Sequence, residues 1–227
     1  MWPMSRRNFI IANTRVASPL LCPEVSLRLI TPECPLWKAT EKDLKAMQLT
    51  DPYWGFCRAG GQALARYVLD HPETVRAKRV LDFGAGCGVE AFAAAKAGAS
   101  SVLASDTDEV AVEAVAMNAE LNGVRIEKTA RDLIGDPLKG IDVVLAGDMF
   151  YDPAFSCLVL DWLALLATSG ITVLLGDPGR GNLAGVSLNV VGTYMAPADV
   201  DVDGRHLRET KVCALRWRTV DNIFHVP

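Results

Sequence analysis

A chain of 227 residues, half of them hydrophobic, is long enough for one large domain, or one domain with an appendage, around a sizeable core. Its net charge of −4 argues against a broad nucleic-acid footprint. That charge is uneven: residues 1–80 carry 12 Lys/Arg against 7 Asp/Glu, residues 81–177 carry 5 against 15, and residues 178–227 carry 6 against 5. The acidic centre suits a cationic ligand better than a phosphate.

Residues 1–50 form an appendage. Ser5-Arg6-Arg7-Asn8-Phe9-Ile10 matches a twin-arginine export signal only superficially, because Asn13, Thr14 and Arg15 interrupt the apolar segment and no A-x-A site follows. Phe9-Ile10-Ile11 and the alternating Val25–Ile30 are predicted strands, punctuated by prolines at 19, 23, 32 and 35. Thr40, with Asp43 three residues on, is the N-cap of a helix running to Leu49. Residues 51–62 read as a loop dense in aromatics and glycine, and a helix from about Gln62 to Leu69 stops at His71-Pro72.

From Val80 the pattern alternates. Strands are expected at 80–83, 101–105, 124–129, 141–146 and 171–176, with helices at 88–97, 108–121 and 153–167. The strands are apolar runs rather than alternating ones, as in a parallel sheet covered on both faces. Repeated βα units imply an α/β fold with a doubly wound sheet and right-handed crossovers. The helix 153–167 is apolar almost all round and reads as buried core. Val186–Tyr194 and Lys211–Val220, either side of an acidic connection with Asp199, Asp201 and Asp203, read as a closing antiparallel pair.

The six cysteines show no C-x-x-C pair, and the three histidines are scattered, so no zinc site is expected. Free thiols point to a reducing cytosol. No run approaches the roughly 18 apolar residues of a membrane span.

Chemistry concentrates after the strands. Asp82-Phe-Gly84-Ala-Gly86-Cys-Gly88 is a strand end, a glycine turn and a helix start. Glycines let backbone approach a ligand closely and accept positive φ. A dinucleotide turn reads G-x-G-x-x-G; here the spacing is G-x-G-x-G, and Asp82 would repel a pyrophosphate and attract an ammonium or sulfonium. Asp106 ends the next strand, 22 residues after Gly84, where a carboxylate can bind both ribose hydroxyls. That feature fits NAD and S-adenosylmethionine alike. Asp132 follows the third strand and can accept from an adenine amino group. Gly147-Asp148-Met149-Phe150-Tyr151-Asp152-Pro153 follows the fourth. Asp152-Pro153 is accounted for as N-cap and N1 of a helix, which leaves Asp148 and Tyr151, an acid and a phenol able to grip an amine. Tyr53 and Trp54, ahead of Gly60-Gly61-Gln62, can stack on adenine or cage an ammonium.

D-x-G-x-G-x-G, the acid at 106 and Asp148-x-x-Tyr151 together resemble the family-16 seven-β-strand protein lysine methyltransferases. Asn13-Thr14, Pro23–Leu27, Pro52–Phe56 and Gly60–Asp70 are similar to the electron transfer flavoprotein β-subunit lysine methyltransferases, bacterial members included. DNA and glutamine methyltransferases instead carry Asn/Asp-Pro-Pro-Tyr after strand four, and this chain lacks those prolines. The resemblance implies a Rossmann-like, doubly wound seven-stranded sheet, mostly parallel with an antiparallel C-terminal strand. It places the catalytic domain at 51–227. It implies S-adenosylmethionine as methyl donor, held by Asp82, Gly84, Gly86, Asp106 and Asp132 with Trp54 and Gln62 above, and a lysine facing Asp148 and Tyr151. The expected partner is the electron transfer flavoprotein β subunit, met by a cytoplasmic monomer without nucleic-acid or membrane partners. A methyltransferase for a ribosomal protein or small amine, an NAD-dependent oxidoreductase and a non-catalytic binding module are the alternatives.

Overall fold

The structure, a computed structural model, describes residues 4–47, 49–183, 188–197 and 206–215. Among the described residues nine strands form two sheets. The small one pairs β1 (Arg15–Ala17) antiparallel with β2 (Leu27–Leu29). The large one contains β3 (Arg79–Phe83), β4 (Ser101–Ser105), β5 (Glu127–Thr129), β6 (Val143–Gly147), β7 (Thr172–Asp177), β8 (Leu188–Pro197) and β9 (Leu207–Leu215) in the order β5-β4-β3-β6-β7-β9-β8. Strands β3 to β7 pair in parallel, and β9 runs antiparallel to both β7 and β8. The seven-stranded, mostly parallel α/β sheet is thus as expected. The chain runs outward from β3 through β4 to β5 and then returns to β6 on the other side of β3, which puts the topological switch point, where such sheets bind ligands, between β3 and β6.

Alternation within the central strands builds a core on each face. Val80, Val143 and Leu145 point to the side covered by α3 (Ala59–Asp70) and α4 (Val89–Lys96). Leu81, Phe83, Val144 and Ala146 point to the side covered by α6 (Pro153–Thr168). Contrary to the all-round burial expected, α6 exposes Leu158 and Leu165 while burying Val159, Trp162, Leu163 and Leu166. Leucine there supports the helix by its propensity, so apolar composition overstated burial.

The appendage differs from expectation at its start. Phe9-Ile10-Ile11 lies in a helix, α1 (Arg6–Asn13), whose N-cap Ser5 accepts from the Asn8 amide. Phe9 and Ile10 are buried on one side against α5 (Glu109–Asn122), while Ile11 is exposed. That is helical periodicity, and the capping serine was the signal. Arg6 and Arg7 pair with Glu109 and Glu120 of α5. The Thr40–Asp43 capping box forms as expected and opens α2 (Glu41–Ala46). Strand 124–129 contracts to β5, and the closing strands lie within 188–197 and 207–215; residues 186–187, 199, 201, 203 and 216–220 of the sequence reading fall outside the described residues.

Asparagines on α5 tie the appendage to the sheet. Asn118 is fully buried; its Oδ1 accepts from the Arg28 amide at 2.8 Å and its Nδ2 donates to the Cys87 carbonyl at 2.9 Å. Asn122 exchanges two hydrogen bonds with the backbone of Ser26. One side chain therefore joins β2 to the glycine turn. Asn118→Ala strands two buried backbone groups and is expected to cost about 2–4 kcal/mol in urea unfolding; an unchanged midpoint would remove this role.

Candidate functional site

The carboxyl ends of β3, β4, β6 and β7 open into a cleft of about 740 Å³. Its floor is the glycine turn, where Gly84, Gly86 and Gly88 take φ of 71°, 50° and 84°. The amides of Gly84 and Ala85 donate to the Ser105 carbonyl. Asp106 holds the turn from the side, with Oδ2 accepting from the Gly86 amide and Oδ1 from the Asp108 amide, both at 2.9 Å. Each oxygen keeps a lone pair for a ligand hydroxyl. Asp108 is the N-cap of α5, as expected, and leaves Asp106 on the cleft wall. Burial pushes the Asp106 carboxyl up, opposed by the Asp108 and Gly86 amides. Asp132 also lines the cleft, beside Leu133 and Ile134, its Oδ1 capping the Ile134 amide at 3.0 Å.

Asp148 follows β6 in the left-handed region at φ 57°, strained for a residue with a side chain. Its amide is tied to the Gly176 carbonyl at 2.9 Å. Its Oδ2 accepts from the Gly61 amide and its Oδ1 from the Arg180 guanidinium, both at 3.1 Å. The carboxyl is 7% exposed. Burial pushes its pKa up, and Arg180, the Gly61 amide and Arg58 oppose that shift. The contact depends on bare backbone. A Cβ on Gly60 would overlap the Gly176 carbonyl and the Asp148 carboxylate, and one on Gly147 would overlap Glu90 and Gly61. Gly60-Gly61, read from sequence as loop, is therefore the first turn of α3, pressed onto the tips of β6 and β7. Its amides point at an anion, as helix N-termini do.

Tyr151 is 54% exposed at the rim, its ring 6.3 Å from Tyr53 and 5.5 Å from Phe155. Arg58 lies over Tyr53 at 4.7 Å. Burial, then Tyr53, Asp106 and Asp152, raise the Tyr151 phenol, so it stays protonated at neutral pH. Trp54 lines the cleft while 2% exposed, its ring edge-on to Phe9 at 6.2 Å.

Two expected cofactor contacts lie off the wall. Gln62 is buried, its Oε1 accepting from the Leu21 amide and its Nε2 donating to the Cys57 carbonyl; it ties the appendage to α3. Asp82 is wholly buried beneath the turn, accepting from the Ala91 amide at 2.9 Å. Glu90, on the first turn of α4, reaches the cleft in its place. Sequence reading missed Glu90 and Arg180. Their signals were an acid inside an alanine-rich helix face and an arginine in the Pro178-Gly-Arg-Gly-Asn182 turn directly after β7.

The set fits an adenosine-bearing cation: glycines for close approach, an acid at the ribose position, buried acids below. Among the described residues no group of His, Cys, Asp and Glu could hold a metal. A family described as ribosomal protein L11 methyltransferase (PrmA) matches residues 62–174. In solved structures the chain is similar to a ribosomal protein L11 methylase from Lactobacillus delbrueckii subsp. bulgaricus, at 22% identity and TM-score 0.51, covering 90% of this chain and all of that one. That likeness carries the fold. The Xenopus laevis electron transfer flavoprotein beta subunit lysine methyltransferase is 45% identical over 176 residues, 77% of this chain and 70% of the relative. The Homo sapiens protein of that name is 42% identical over 183 residues, 79% and 69% of the two chains. At this identity and coverage the chain belongs to the electron transfer flavoprotein beta subunit lysine methyltransferases.

Proposed function

We propose that the chain transfers methyl groups from S-adenosylmethionine to lysine ε-amines of the electron transfer flavoprotein β subunit, with Asp148 as the residue that captures and aims the acceptor. The carrying observation is the buried Asp148 carboxylate, held by the Gly61 amide and Arg180 at the cleft beside the donor turn. An ammonium can take the place that the Arg180 guanidinium holds. Arg180 keeps the acid ionised and oriented until the lysine arrives, then yields.

Bound in the cleft, S-adenosylmethionine supplies an electrophilic methyl on a sulfonium. Gly84 and Gly86 admit it, Asp106 takes its ribose hydroxyls, Asp132 its adenine, and Trp54 closes the cleft. Asp82 contributes from below through Glu90. Displacement is in line, so positioning and a matched electrostatic site carry the catalysis. The amine must be neutral to attack, and free lysine, with pKa about 10.4, is neutral to only about one part in a thousand near pH 7.4. A neighbouring sulfonium lowers that pKa and Asp148 raises it, so Asp148 aims rather than activates. Tyr151, protonated at neutral pH, accepts from an amine N–H through its phenol oxygen and leaves the nitrogen lone pair free, and water takes the proton that the lysine ammonium loses.

The same reading makes the enzyme a cytoplasmic monomer, with residues 1–50 capping a catalytic unit of 51–227. All six cysteines are free thiols, which supports a reducing compartment. Among the described residues no helix is long and apolar enough to cross a membrane. A second reading, methylation of ribosomal protein L11, has one observation in its favour: the match to that family over residues 62–174.

Mass spectrometry of both candidate substrates after incubation with enzyme and S-adenosylmethionine decides between them. Methyl increments on the flavoprotein β subunit alone are expected, and none there would remove the substrate assignment. Asp148→Asn should slow transfer about 100-fold or more and leave cofactor affinity close to wild type; full turnover would sink the aiming role. Asp106→Ala should weaken the cofactor by about 100-fold or more in calorimetry, the loss of two hydrogen bonds to a charged group; unchanged affinity would refute the ribose role.

A further inference from the structure

Helix α6 buries Val159, Trp162, Leu163 and Leu166 against the sheet. Its opposite face is apolar as well. Ala154, Leu158, Asp161 and Leu165 follow one another at spacings of four, three and four, so they form one row about 16 Å long. All four are exposed among the described residues, Leu158 at 54% and Leu165 at 68%, and the exposed Cys157 lies beside them. Asp161 is the one charged residue of the helix. Propensity does not select leucine there, because lysine, glutamate and arginine form helix nearly as well and are the ordinary choice on a water-facing side. A single exposed leucine needs no explanation, but a row of apolar side chains does.

The row starts at the cleft. Tyr151 and Phe155 line the cleft and stack with ring centres 5.5 Å apart. Phe155 precedes Leu158 by three residues, one turn along the same helix. The apolar surface therefore runs without a break from the cleft mouth onto the outside of α6. A lysine ε-amine is carried on a four-carbon stem. An acceptor that reaches Asp148 must bring its backbone to this mouth, and the surface around that lysine must then rest on whatever borders it.

We propose that the outer face of α6, formed by Ala154, Leu158, Asp161 and Leu165, is the docking surface for the folded protein that presents the acceptor lysine. The proposal rests on the function proposed above and adds the surface by which that substrate is held. The matching patch carries apolar side chains over the two leucines and a lysine or arginine, other than the acceptor, over Asp161. An acid covered by apolar surface needs such a partner. A second copy of this chain lacks it. Two-fold packing sets like patch on like patch, which brings Asp161 beside its own copy with no basic residue on the helix to compensate.

Docking of this kind acts on binding and not on the chemical step. Leu158, Asp161 and Leu165 lie outside the cleft lining, so they touch neither donor nor amine. Contacts made equally in the bound and reacting states change KM and leave kcat alone. The two leucines supply apolar area that leaves water on docking, and Asp161 supplies register and a salt-sensitive attraction.

The test is steady-state methylation of the folded flavoprotein β subunit by the full chain and by two variants. Leu158→Glu combined with Leu165→Glu changes only exposed positions to another good helix former, so the fold is kept. It should raise KM for the subunit about tenfold or more, with kcat and S-adenosylmethionine affinity within about twofold of wild type. Asp161→Lys should raise the same KM about threefold or more, and the rise of wild-type KM with salt should vanish in this variant. A KM unchanged in both variants overturns the docking face and leaves the methyltransferase reading standing. A fall in kcat without a rise in KM does the same. A wild-type chain that is a dimer in light scattering and a monomer in the double variant, with KM unchanged, gives the face to a second copy and overturns the proposal. No methyl transfer to the subunit by wild type overturns both the face and the substrate assignment.

Discussion

The site depends on one steric fact: the backbone of α3's first turn touches the backbone of the strand tips. Gly60, Gly147 and Gly176 meet where no Cβ fits. A parallel sheet offers only carbonyls and amides at its carboxyl edge, and a helix N-terminus brings unpaired amides to meet them. Here the meeting is close enough for the Gly61 amide to donate to a side chain on the next element, Asp148. The left-handed backbone at Asp148 is the local consequence. Its amide is spent on the Gly176 carbonyl, so the chain must turn sharply and present the carboxylate to α3. Strain of this kind persists only where surrounding contacts over-determine it, and Gly176, Gly61 and Arg180 supply those contacts.

Charge explains why so acidic a cleft is stable and useful. Its acids are satisfied by different means. Asp106 accepts two backbone amides, Asp148 has an amide and a guanidinium, and Asp82 accepts from the Ala91 amide. Methyl transfer to an amine brings two cationic groups together in one space, and each would repel the other without compensation. A preorganised set of negative groups at both ends lowers that repulsion before any reaction begins. Arg180 then has a clear physical place. It is a cation supplied by the chain, partnering the buried Asp148 carboxylate.

Much of this was readable along the chain. The βα alternation, the glycine turn and the acids at strand ends are local patterns, because parallel strands need crossover helices and ligand sites sit at carboxyl ends. Asp148 was singled out the same way, by asking which residues after β6 were not needed for capping, and the structure places it on the cleft. Elsewhere local pattern was insufficient. Gly60-Gly61 looked like loop because glycine lowers helix propensity, yet its reason is a contact with residues near 148 and 176 that no window could contain. Gln62 sits beside a functional turn in sequence but points toward Leu21 and Cys57. Glu90, in the first turn of α4, lines the cleft only because that turn packs against Gly61 and Gly147, which lie far from it in sequence.

That difference bears on where specificity resides. The donor floor is made within one strand–turn–helix unit, so it is encoded compactly and common to many proteins of this architecture. The rest of the cleft, where the proposed acceptor would sit, is lined by three separated segments: Tyr53 to Gly61, Asp148 to Phe155, and Arg180. The first of these is held by the appendage, since Gln62 bonds to Leu21 and Trp54 packs on Phe9. The appendage is in turn fastened to α5 and the glycine turn through Asn118. Donor floor and acceptor rim therefore share one buried support. A change in the appendage, though distant in sequence from every reacting group, moves the Tyr53–Tyr151 rim relative to the donor turn, and alignment of amine with methyl is the quantity on which an in-line transfer depends most steeply.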